Sequence, residues 1–318
     1  MNETEPTQSQ RLVVGVDGGG SKTLALVADT QGTTLGRGIA GPSNYQVVGQ
    51  EAACAAIATA IRGARAQIPG ELSALCLGIA GAGRASDRAL FQVWAEARYP
   101  GIPISVVHDG QLALAAGTPE GWGIAVLCGT GSLIYGEDRQ GRPARAGGWG
   151  YLLGDEGSGY AIGLAALRAV ACAADGRGPA TALTQAILEH WSLDQPQDLI
   201  AHVYRPPLPR TEIAGLTEIV VDVAARGDQV AGELLRAAGE ELAQAARAVA
   251  SQLALPLPIP CALAGSVILH AGAVMQSFQQ AATAQGLALG PITPVPEPAR
   301  GAVRLARTLL KPECEERG

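Results

Sequence analysis

A glycine-rich segment follows the first apolar run of the chain and carries side chains suited to binding phosphate. The run at residues 12–16 is followed by Asp17 and then by Gly-Gly-Gly-Ser-Lys-Thr. Glycines allow the backbone to approach a ligand closely, and successive free amides form a concave anion site. Lysine and hydroxyl side chains are typical contacts of phosphate and of Mg²⁺-bound water. The phosphate-binding candidates in this segment are Gly18, Gly19, Gly20, Ser21, Lys22 and Thr23.

This segment departs from two familiar phosphate-binding motifs. A Walker A loop requires glycine and lysine in direct succession, and Ser21 separates Gly20 from Lys22. The dinucleotide fingerprint would require glycine in place of Thr23. Residues 23–29 are apolar and lead into Gln-Gly, a pattern typical of a second strand. The segment is therefore predicted to be a hairpin tip, and an ordinary hairpin without a ligand is the alternative.

The same arrangement occurs again in the second half of the chain, where two apolar runs, residues 123–128 and 133–136, flank a glycine-rich turn. Because the chain has 42 glycines, ordinary hairpins are again the alternative. Lysine usage favours function, since Lys22 is one of only two lysines, the other being Lys311, and a compact ammonium group fits phosphate at close range. The candidates in the second turn are Gly129, Thr130, Gly131 and Ser132.

Two aspartates are placed where carboxylates could take part in phosphoryl transfer. Asp109 follows the predicted strand at residues 104–107, and α/β sheets bind ligands at the carboxyl ends of their strands. A carboxylate there can take the proton of a substrate hydroxyl as the phosphoryl group moves. The alternative is an N-cap for a helix beginning at Gln111. Asp17, at the end of its own strand, is the candidate for holding hydrated Mg²⁺.

Three further segments are candidates for ligand binding, each with an ordinary structural alternative. One is a turn after the third predicted strand, where asparagine is also favoured for local reasons. Residues 147–159 combine six glycines with two carboxylates and two aromatic residues, but carboxylates also stabilise the N-terminus of a following helix. The third is an Ala-Gly-Ser-Val turn after a late strand. The candidates in these segments are Asn44, Gly148, Trp149, Asp155, Gly265 and Ser266.

Composition excludes several classes of function. The net charge of −6 and the absence of a basic run argue against a nucleic-acid surface. Residues 1–10 are polar, so we expect no signal peptide, and no apolar stretch is long enough to span a bilayer. We therefore expect no membrane partner and a cytoplasmic location. None of the six cysteines forms a C-x-x-C pair, so we expect free thiols.

The predicted elements indicate a duplicated α/β chain. The first half follows the order β-β-β-α-β-α-β-α, and a similar strand pattern restarts at residue 123. Helices are expected at about 156–173, 179–191, 211–225, 228–253 and 269–285, and the proline-rich stretch 291–298 is expected to connect to a last helix. The expected division is a tail at 1–10, a first domain at 11–118, a second domain with helical insertions at 119–298, and a helix at 299–311 that returns to the first domain.

Taken together, these segments resemble the BadF/BadG/BcrA/BcrD ATPase family of the actin, Hsp70 and sugar-kinase superfamily, and most of all its N-acetylglucosamine kinase branch. The most specific segments are G-G-W-G-x-x-x-G-D-E-G-S and D-G-G-G-S-K-T, with H-D-G and C-G-T-G-S between them in order. The resemblance implies two ribonuclease-H-like domains of the actin-like ATPase type with a central cleft.

The resemblance also implies roles for individual residues. The two glycine loops would bind the phosphates of the nucleotide, and Gly265 and Ser266 would lie near its base or ribose. Asp109 would be the catalytic base. The residues implied to line the sugar pocket are Asn44, Gly148, Trp149 and Asp155.

Together with these motifs, the resemblance implies an ATP-dependent sugar kinase that acts with Mg²⁺ on a hydroxyl, expected to be the 6-hydroxyl, of an amino sugar such as N-acetylglucosamine or glucosamine. Ala80 stands where animal N-acetylglucosamine kinases carry serine, which removes one potential hydrogen bond to the sugar. The alternative is an ATPase that activates a partner enzyme, of the CoA-ester reductase or dehydratase activator type, although the cysteine segments expected of those activators are not recognisable. The resemblance further implies a homodimer. The sequence does not distinguish ATP from GTP.

Overall fold

A computed structural model describes residues 10–204 and 208–310. Lys311, Cys314 and the predicted tail up to residue 9 lie outside these residues. The chain divides into two compact units, which are described separately below. The first unit comprises the chain up to Ala116 together with the stretch from Glu297, and the second comprises Gly117–Pro296.

Each unit contains one five-stranded sheet. The strands are β1 (Arg11–Gly18), β2 (Thr23–Asp29), β3 (Thr34–Ala40), β4 (Glu71–Ile79), β5 (Ile104–His108), β6 (Gly123–Cys128), β7 (Ser132–Glu137), β8 (Pro143–Gly147), β9 (Ile259–Ala264) and β10 (Leu289–Pro294). The helices are α1 (Tyr45–Val48), α2 (Gln50–Arg65), α3 (Ala85–Arg98), α4 (Asp109–Gly117), α5 (Gly159–Ala174), α6 (Leu183–Trp191), α7 (Asp198–Tyr204), α8 (Arg210–Ala225), α9 (Gln229–Leu253), α10 (Ser266–His270), α11 (Gly272–Ala284) and α12 (Ala299–Thr308).

The two sheets have the same topology. The strand orders are β3-β2-β1-β4-β5 and β8-β7-β6-β9-β10, so the strands correspond one to one. In both sheets the first three strands along the chain pair antiparallel, and the remaining two add in parallel. This is the duplicated ribonuclease-H-like α/β fold that the sequence predicted. Both glycine-rich segments are hairpin tips, because Gly18 pairs with Thr23 and Cys128 pairs with Ser132.

Strand β1 is buried on both faces, which explains its unbroken apolar run. Val14 and Val16 pack with α2 and α3 in one cluster, whereas Val13 packs with α12 in another. Helix α12 approaches the sheet closely, because a β-carbon on Gly15 would lie 2.3 Å from the backbone nitrogen of Val303. Glycine at this position is therefore required by backbone packing.

In the second unit, one large hydrophobic cluster joins the sheet to its helices. Helices α8, α9 and α11 supply most of the helical side of this cluster, and buried residues of β6 and β9 supply the sheet side. Asp228 caps α9, as the sequence indicated, by accepting a hydrogen bond from the amide of Ala231 at 2.9 Å. The same carboxylate accepts from the amide of Ala182 at 2.8 Å and thereby fixes the start of α6.

Some predicted elements were wrong in extent. Helix α5 begins at Gly159 instead of residue 156, because Asp155 and Gly157 adopt left-handed backbone angles and Ser158 is the N-cap. The helix expected at 269–285 is two helices, interrupted at Ala271 by a ψ of 84°. The short helices α1 and α7 were not predicted.

The proline-rich stretch was also misinterpreted, because part of it is strand β10. This strand lies at the edge of its sheet, next to β9 alone. An edge strand tolerates prolines, since half of its backbone groups have no partner strand. The same residues that indicated a connection are therefore compatible with an edge strand.

No helix of the described residues is long and apolar enough to cross a membrane.

Candidate active site

At the tip of the β1–β2 hairpin, three carbonyls are hydrogen-bonded within the protein and three amides are free to donate. The carbonyl of Gly18 accepts from the amide of Ala80 at 2.8 Å, and the carbonyl of Gly19 accepts from the amides of Ser43 and Asn44 at 3.0 and 3.2 Å. The carbonyl of Lys22 accepts from the amide of Gly19 at 2.9 Å. The donors left at the tip, which have no hydrogen-bond partner among the described residues, are the amides of Gly20, Ser21 and Lys22.

This tip is exposed at Gly20, Ser21 and Lys22. The only lysine of the described residues thus lies beside three free amides, an arrangement suited to a phosphate. Gly19 differs from its neighbours, because its amide is already used within the hairpin. Gly19 can therefore let the backbone lie close to a ligand, but it offers the ligand no amide donor.

Thr23 is fully buried, and its hydroxyl points into the protein. The hydroxyl donates to the carbonyl of Gly41 at 2.7 Å and pairs with the buried hydroxyl of Ser43 at 2.8 Å. A β-carbon on Gly18 would lie 2.6 Å from the Ser43 oxygen, so glycine is needed where Ser43 packs. Thr23 therefore anchors the glycine loop to the turn that precedes α1, and its predicted contact with phosphate stays a prediction.

That turn also carries Asn44, the predicted sugar ligand. Its side-chain oxygen caps α1 by accepting from the amide of Gln46 at 3.2 Å, which leaves the amide group as the donor for a ligand. Gly81 lies directly against it, since a β-carbon there would be 2.5 Å from the Asn44 oxygen. The segment that contains Ala80 and Gly81 thus contacts both the glycine loop and Asn44.

Asp109 begins α4 at the carboxyl end of β5 and is hydrogen-bonded by its neighbours. Nδ1 of His108 lies 2.7 Å from Oδ1 of Asp109, and the amide of Gly110 donates to the same oxygen at 2.9 Å. Burial favours the neutral acid, but the hydrogen bond and the charge of His108, together with the Gly110 amide, lower the pKa of Asp109 below its usual value. Asp109 is therefore favoured as a carboxylate, and its Oδ1 accepts from the Gly110 amide. The same amide lies 3.0 Å from Nδ1 of His108, which donates to Asp109 when it carries the proton.

Asp17, at the end of β1, has a raised pKa, in contrast to Asp109. Burial, followed by the negative charge of Asp109, raises the pKa of Asp17 to about 7, although the Lys22 ammonium opposes the shift. The negative charges of Asp17 and Asp109 therefore disfavour each other. A bound divalent cation would remove this unfavourable interaction, so the donor chemistry of Asp17 fits Mg²⁺ and its coordinated water.

At the hairpin tip of the second unit, the carbonyls also accept hydrogen bonds from within the protein. The amides of Gly159 and Tyr160, at the start of α5, donate to the carbonyls of Gly129 and Thr130 at 2.8 and 3.2 Å. The carbonyl of Gly131 accepts from the amide of Gly129 at 2.9 Å. The amides of Thr130 and Gly131 have no partner among the described residues, so they are free to donate to a ligand.

Asp155 and Ser132 lie against this second tip. Oγ of Ser132 donates to the carbonyl of Glu156 at 2.6 Å, and a β-carbon on Gly131 would lie 2.9 Å from Oδ2 of Asp155. Asp155 is a non-glycine residue with a φ of 61°, a costly conformation that occurs at sites where the surroundings impose it. Burial raises the pKa of Asp155, while the Ser132 amide and Arg210 oppose the shift.

Gly265 and Ser266 adjoin the same hairpin. A β-carbon on Gly265 would lie 2.3 Å from the carbonyl oxygen of Cys128, and Gly265 has a φ of 102°. Both observations require glycine there. A β-carbon on Gly129 would lie 3.7 Å from the Ser266 hydroxyl. The second unit therefore brings its hairpin tip together with Asp155 and with the turn before α10.

The remaining sugar candidates, Gly148 and Trp149, lie in the loop between β8 and α5. Trp149 is 66% exposed, and Tyr151, Leu152 and Leu153 beside it are also exposed. Gly148 has a φ of 67°, and a β-carbon on it would lie 2.8 Å from the Leu133 side chain. An exposed indole ring is a surface on which the apolar face of a sugar can stack.

The sequence interpretation did not identify Ser43, Gly81 or the hydrogen bond of His108 to Asp109. Ser43 and Gly81 act through contacts between segments distant in sequence, which no local pattern predicts. From the sequence, His108 is expected to be a packing or hydrogen-bonding residue, but its partner is not specified; its adjacency to Asp109 was the available signal. Within the first unit, the structure brings together the glycine loop, Asn44 and the segment of Ala80.

Comparison with known proteins supports one interpretation of these features. The model of the BadF/BadG/BcrA/BcrD ATPase family matches residues 14–306. An N-acetylmuramic acid/N-acetylglucosamine kinase of Clostridium acetobutylicum is 35% identical over 310 residues, covering 96% of this chain and all of the relative. An N-acetyl-D-glucosamine kinase of Dictyostelium discoideum is 35% identical over 260 residues, covering 78% of this chain and 82% of the relative.

A solved structure has the same overall fold. It is a protein from Chromobacterium violaceum assigned as an N-acetylglucosamine kinase, with a TM-score of 0.74 and 30% identity, covering 95% of this chain and 100% of that one. A glucokinase of the ROK family from Streptomyces griseus, with a TM-score of 0.58 and 22% identity, shares the fold.

Proposed function

Because the chain belongs to the BadF/BadG/BcrA/BcrD ATPase family and is an ATP-dependent sugar kinase, we propose that it phosphorylates the 6-hydroxyl of an N-acetylated amino sugar. The observation that carries the proposal is the environment of Asp109. Its carboxylate is kept ionised by His108 and the Gly110 amide, at the strand end where a general base is required.

In the proposed reaction, Asp109 accepts a hydrogen bond from the sugar hydroxyl and takes its proton as the oxygen attacks the γ-phosphorus of ATP. The oxygen engaged by His108 and Gly110 is oriented by them, so Oδ2 is the one assigned to the substrate. The Asn44 amide donates to a sugar hydroxyl in the first unit. Gly148, Trp149 and Asp155 contact the sugar in the second.

The nucleotide is assigned to the two hairpin tips. The free amides of Gly20, Ser21 and Lys22, with the Lys22 ammonium, bind phosphate oxygens, as do those of Thr130 and Gly131. Gly265 and Ser266 adjoin the second tip and are assigned to the nucleoside side. Mg²⁺, when bound, would neutralise phosphate charge, and Asp17 is the residue assigned to hold it through water.

We also propose that the enzyme is a cytoplasmic homodimer, and that its two units correspond to the domains expected at 11–118 and 119–298, with the last helix joining the first. Light scattering on the purified protein gives the oligomeric state directly. A monomeric mass at assay concentration would refute the homodimer without affecting the kinase assignment.

The test is the substitution Asp109→Asn, measured as ADP release with Mg²⁺-ATP and a panel of sugars. The panel contains glucosamine, N-acetylglucosamine, N-acetylmuramic acid, N-acetylmannosamine and glucose. We expect the wild-type rate to rise strongly with one amino sugar. The variant should lose at least about 100-fold in kcat, the usual contribution of a general base, with nucleotide affinity unchanged.

Asp175→Asn is the matched control, because Asp175 is an exposed aspartate of the second unit and, among the described residues, its ion pair is with Arg177 alone. It should retain wild-type activity. Near-normal turnover of Asp109→Asn would refute the assignment of the base. A wild-type rate indifferent to every sugar would instead favour an ATPase that acts on a partner enzyme.

A further inference from the structure

One arginine lies against the predicted sugar-binding loop without a carboxylate partner. Arg145 is on β8, and its guanidinium carbon lies 5.4 Å from the ring centre of Trp149. Its Nη1 donates a long hydrogen bond of 3.4 Å to the carbonyl of Gly148. Arg145 is exposed and forms no ion pair within the described part of the chain, so its charge is available to a ligand.

The other cation of this region, Arg210, has both an aromatic and an acidic neighbour. Arg210 lies 4.8 Å from the ring centre of Tyr151, and its positive charge opposes the raised pKa of Asp155. Neither Asp155 nor Glu156 is within ion-pair distance of Arg145. Among the described cations near the loop, Arg145 is therefore the one without an acidic neighbour.

The contact with Trp149 is not explained by packing alone. Elsewhere in the second unit, Arg139 lies 4.6 Å from the ring centre of Trp122, but that ring is buried and its indole nitrogen donates to Glu120. There the arginine packs over a ring that is already buried and hydrogen-bonded. Trp149, in contrast, is 66% exposed, so Arg145 and the ring together form an open surface that is both apolar and cationic.

We propose that Arg145 is a specificity-determining residue that binds the carboxylate of an acidic substituent on the amino sugar. N-acetylmuramic acid differs from N-acetylglucosamine by a lactyl ether, which carries one carboxylate. A guanidinium group matches a carboxylate with two parallel hydrogen bonds, and an adjacent aromatic ring offers a face to the sugar. This inference rests on the proposed function, and it assigns acidic amino sugars to the substrate range.

The experiment compares kcat/KM for N-acetylmuramic acid and N-acetylglucosamine in the wild type, Arg145→Gln and Arg139→Gln. A charge-assisted hydrogen bond predicts that Arg145→Gln loses about 10- to 100-fold on N-acetylmuramic acid. Its activity on N-acetylglucosamine should stay within about twofold, because that sugar has no carboxylate to bind. Arg139→Gln should change neither value.

A second arm removes the charge from the sugar instead of from the protein. The methyl ester of N-acetylmuramic acid keeps the bulk of the lactyl group, so the wild type should use it as poorly as Arg145→Gln uses the acid. For Arg145→Gln, acid and ester should be equivalent. Added salt should lower the kcat/KM of the wild type for the acid more than its kcat/KM for the ester.

Three results would overturn the inference while leaving the kinase assignment intact. One is an equal loss on both sugars, which would give Arg145 a structural role under Trp149. Another is no loss on either sugar. The third is a wild type that uses N-acetylglucosamine but not N-acetylmuramic acid. A wild type that uses no amino sugar would instead refute the proposed function, and the inference with it.

Discussion

Thr23 offers a direct test of how the glycine loop is held in place. Its hydroxyl is fully buried and joins the carbonyl of Gly41 to the hydroxyl of Ser43. The substitution Thr23→Val keeps the shape and the β-branched character of the side chain but removes this oxygen. Any effect therefore reports the hydrogen bonds and not a cavity.

The size of the effect follows from what is left unpaired. Gly41 is exposed, so its carbonyl can form a hydrogen bond with water instead, and the loss of its bond to Thr23 costs about 1 kcal/mol. Ser43 is completely buried, so its hydroxyl loses its partner without access to water, at a cost of about 1–3 kcal/mol. We expect the first unit to lose about 2–4 kcal/mol in its free energy of unfolding.

The assay is hydrogen exchange measured by mass spectrometry, since it separates the two units. Protection of the β1–β2 amides should fall by about 30- to 1,000-fold, while that of β6 and β7 should not change. The KM for ATP should rise as the loop loosens. Thr34→Val, an exposed threonine on β3, is the matched control. A loss below about 0.5 kcal/mol, or equal losses in both units, would refute the reasoning.

Two predictions concern pH. The folded pKa of Asp17, about 7, lies above its ordinary value, so its protonated form stabilises the fold and this contribution is lost as pH rises toward 7. Between pH 5 and pH 8, the free energy of unfolding of Asp17→Asn should therefore rise by about 3 kcal/mol relative to that of the wild type. The measurement is urea unfolding without nucleotide, and a difference that does not change with pH would contradict the prediction. His108→Leu removes a donor that lowers the pKa of Asp109, so the acidic limb of kcat/KM should move to higher pH. An unmoved limb with reduced kcat would give His108 a purely structural role.

The sequence predicted the fold well, for a physical reason. The hairpins, the parallel strands and most helices are local patterns of apolar residues and caps, and Asp228 at the start of α9 is an example. Strand β10 was missed because proline is a poor indicator of an edge strand. The start of α5 was misplaced because the left-handed angle of Asp155 is imposed by its neighbours and not by its own residue type.

The candidate site was predictable in its residue types and not in its internal contacts. Gly18, Gly131 and Gly265 were selected as ligand-binding glycines, but their surroundings show a second reason for glycine. A β-carbon at each would collide with Ser43, Asp155 or the Cys128 carbonyl, respectively. Such contacts join segments far apart in sequence, so one sequence without structure cannot distinguish close packing from close approach to a ligand.

The duplicated halves use different partners to reach the same local electrostatics. In the first unit, amides from the Ser43 turn and from Ala80 bind the loop carbonyls, whereas in the second unit the start of α5 does so. In both, the carbonyls described above are engaged within the protein and amide N–H groups at the tip are free to donate, although the carbonyls of Gly20 and Ser21 accept no hydrogen bond from the described residues. A carbonyl oxygen facing a phosphate would repel it, so engaging these carbonyls within the protein favours anion binding at the tip. Because unrelated segments achieve this at both hairpins, we infer that anion binding, and not glycine content alone, explains the two loops.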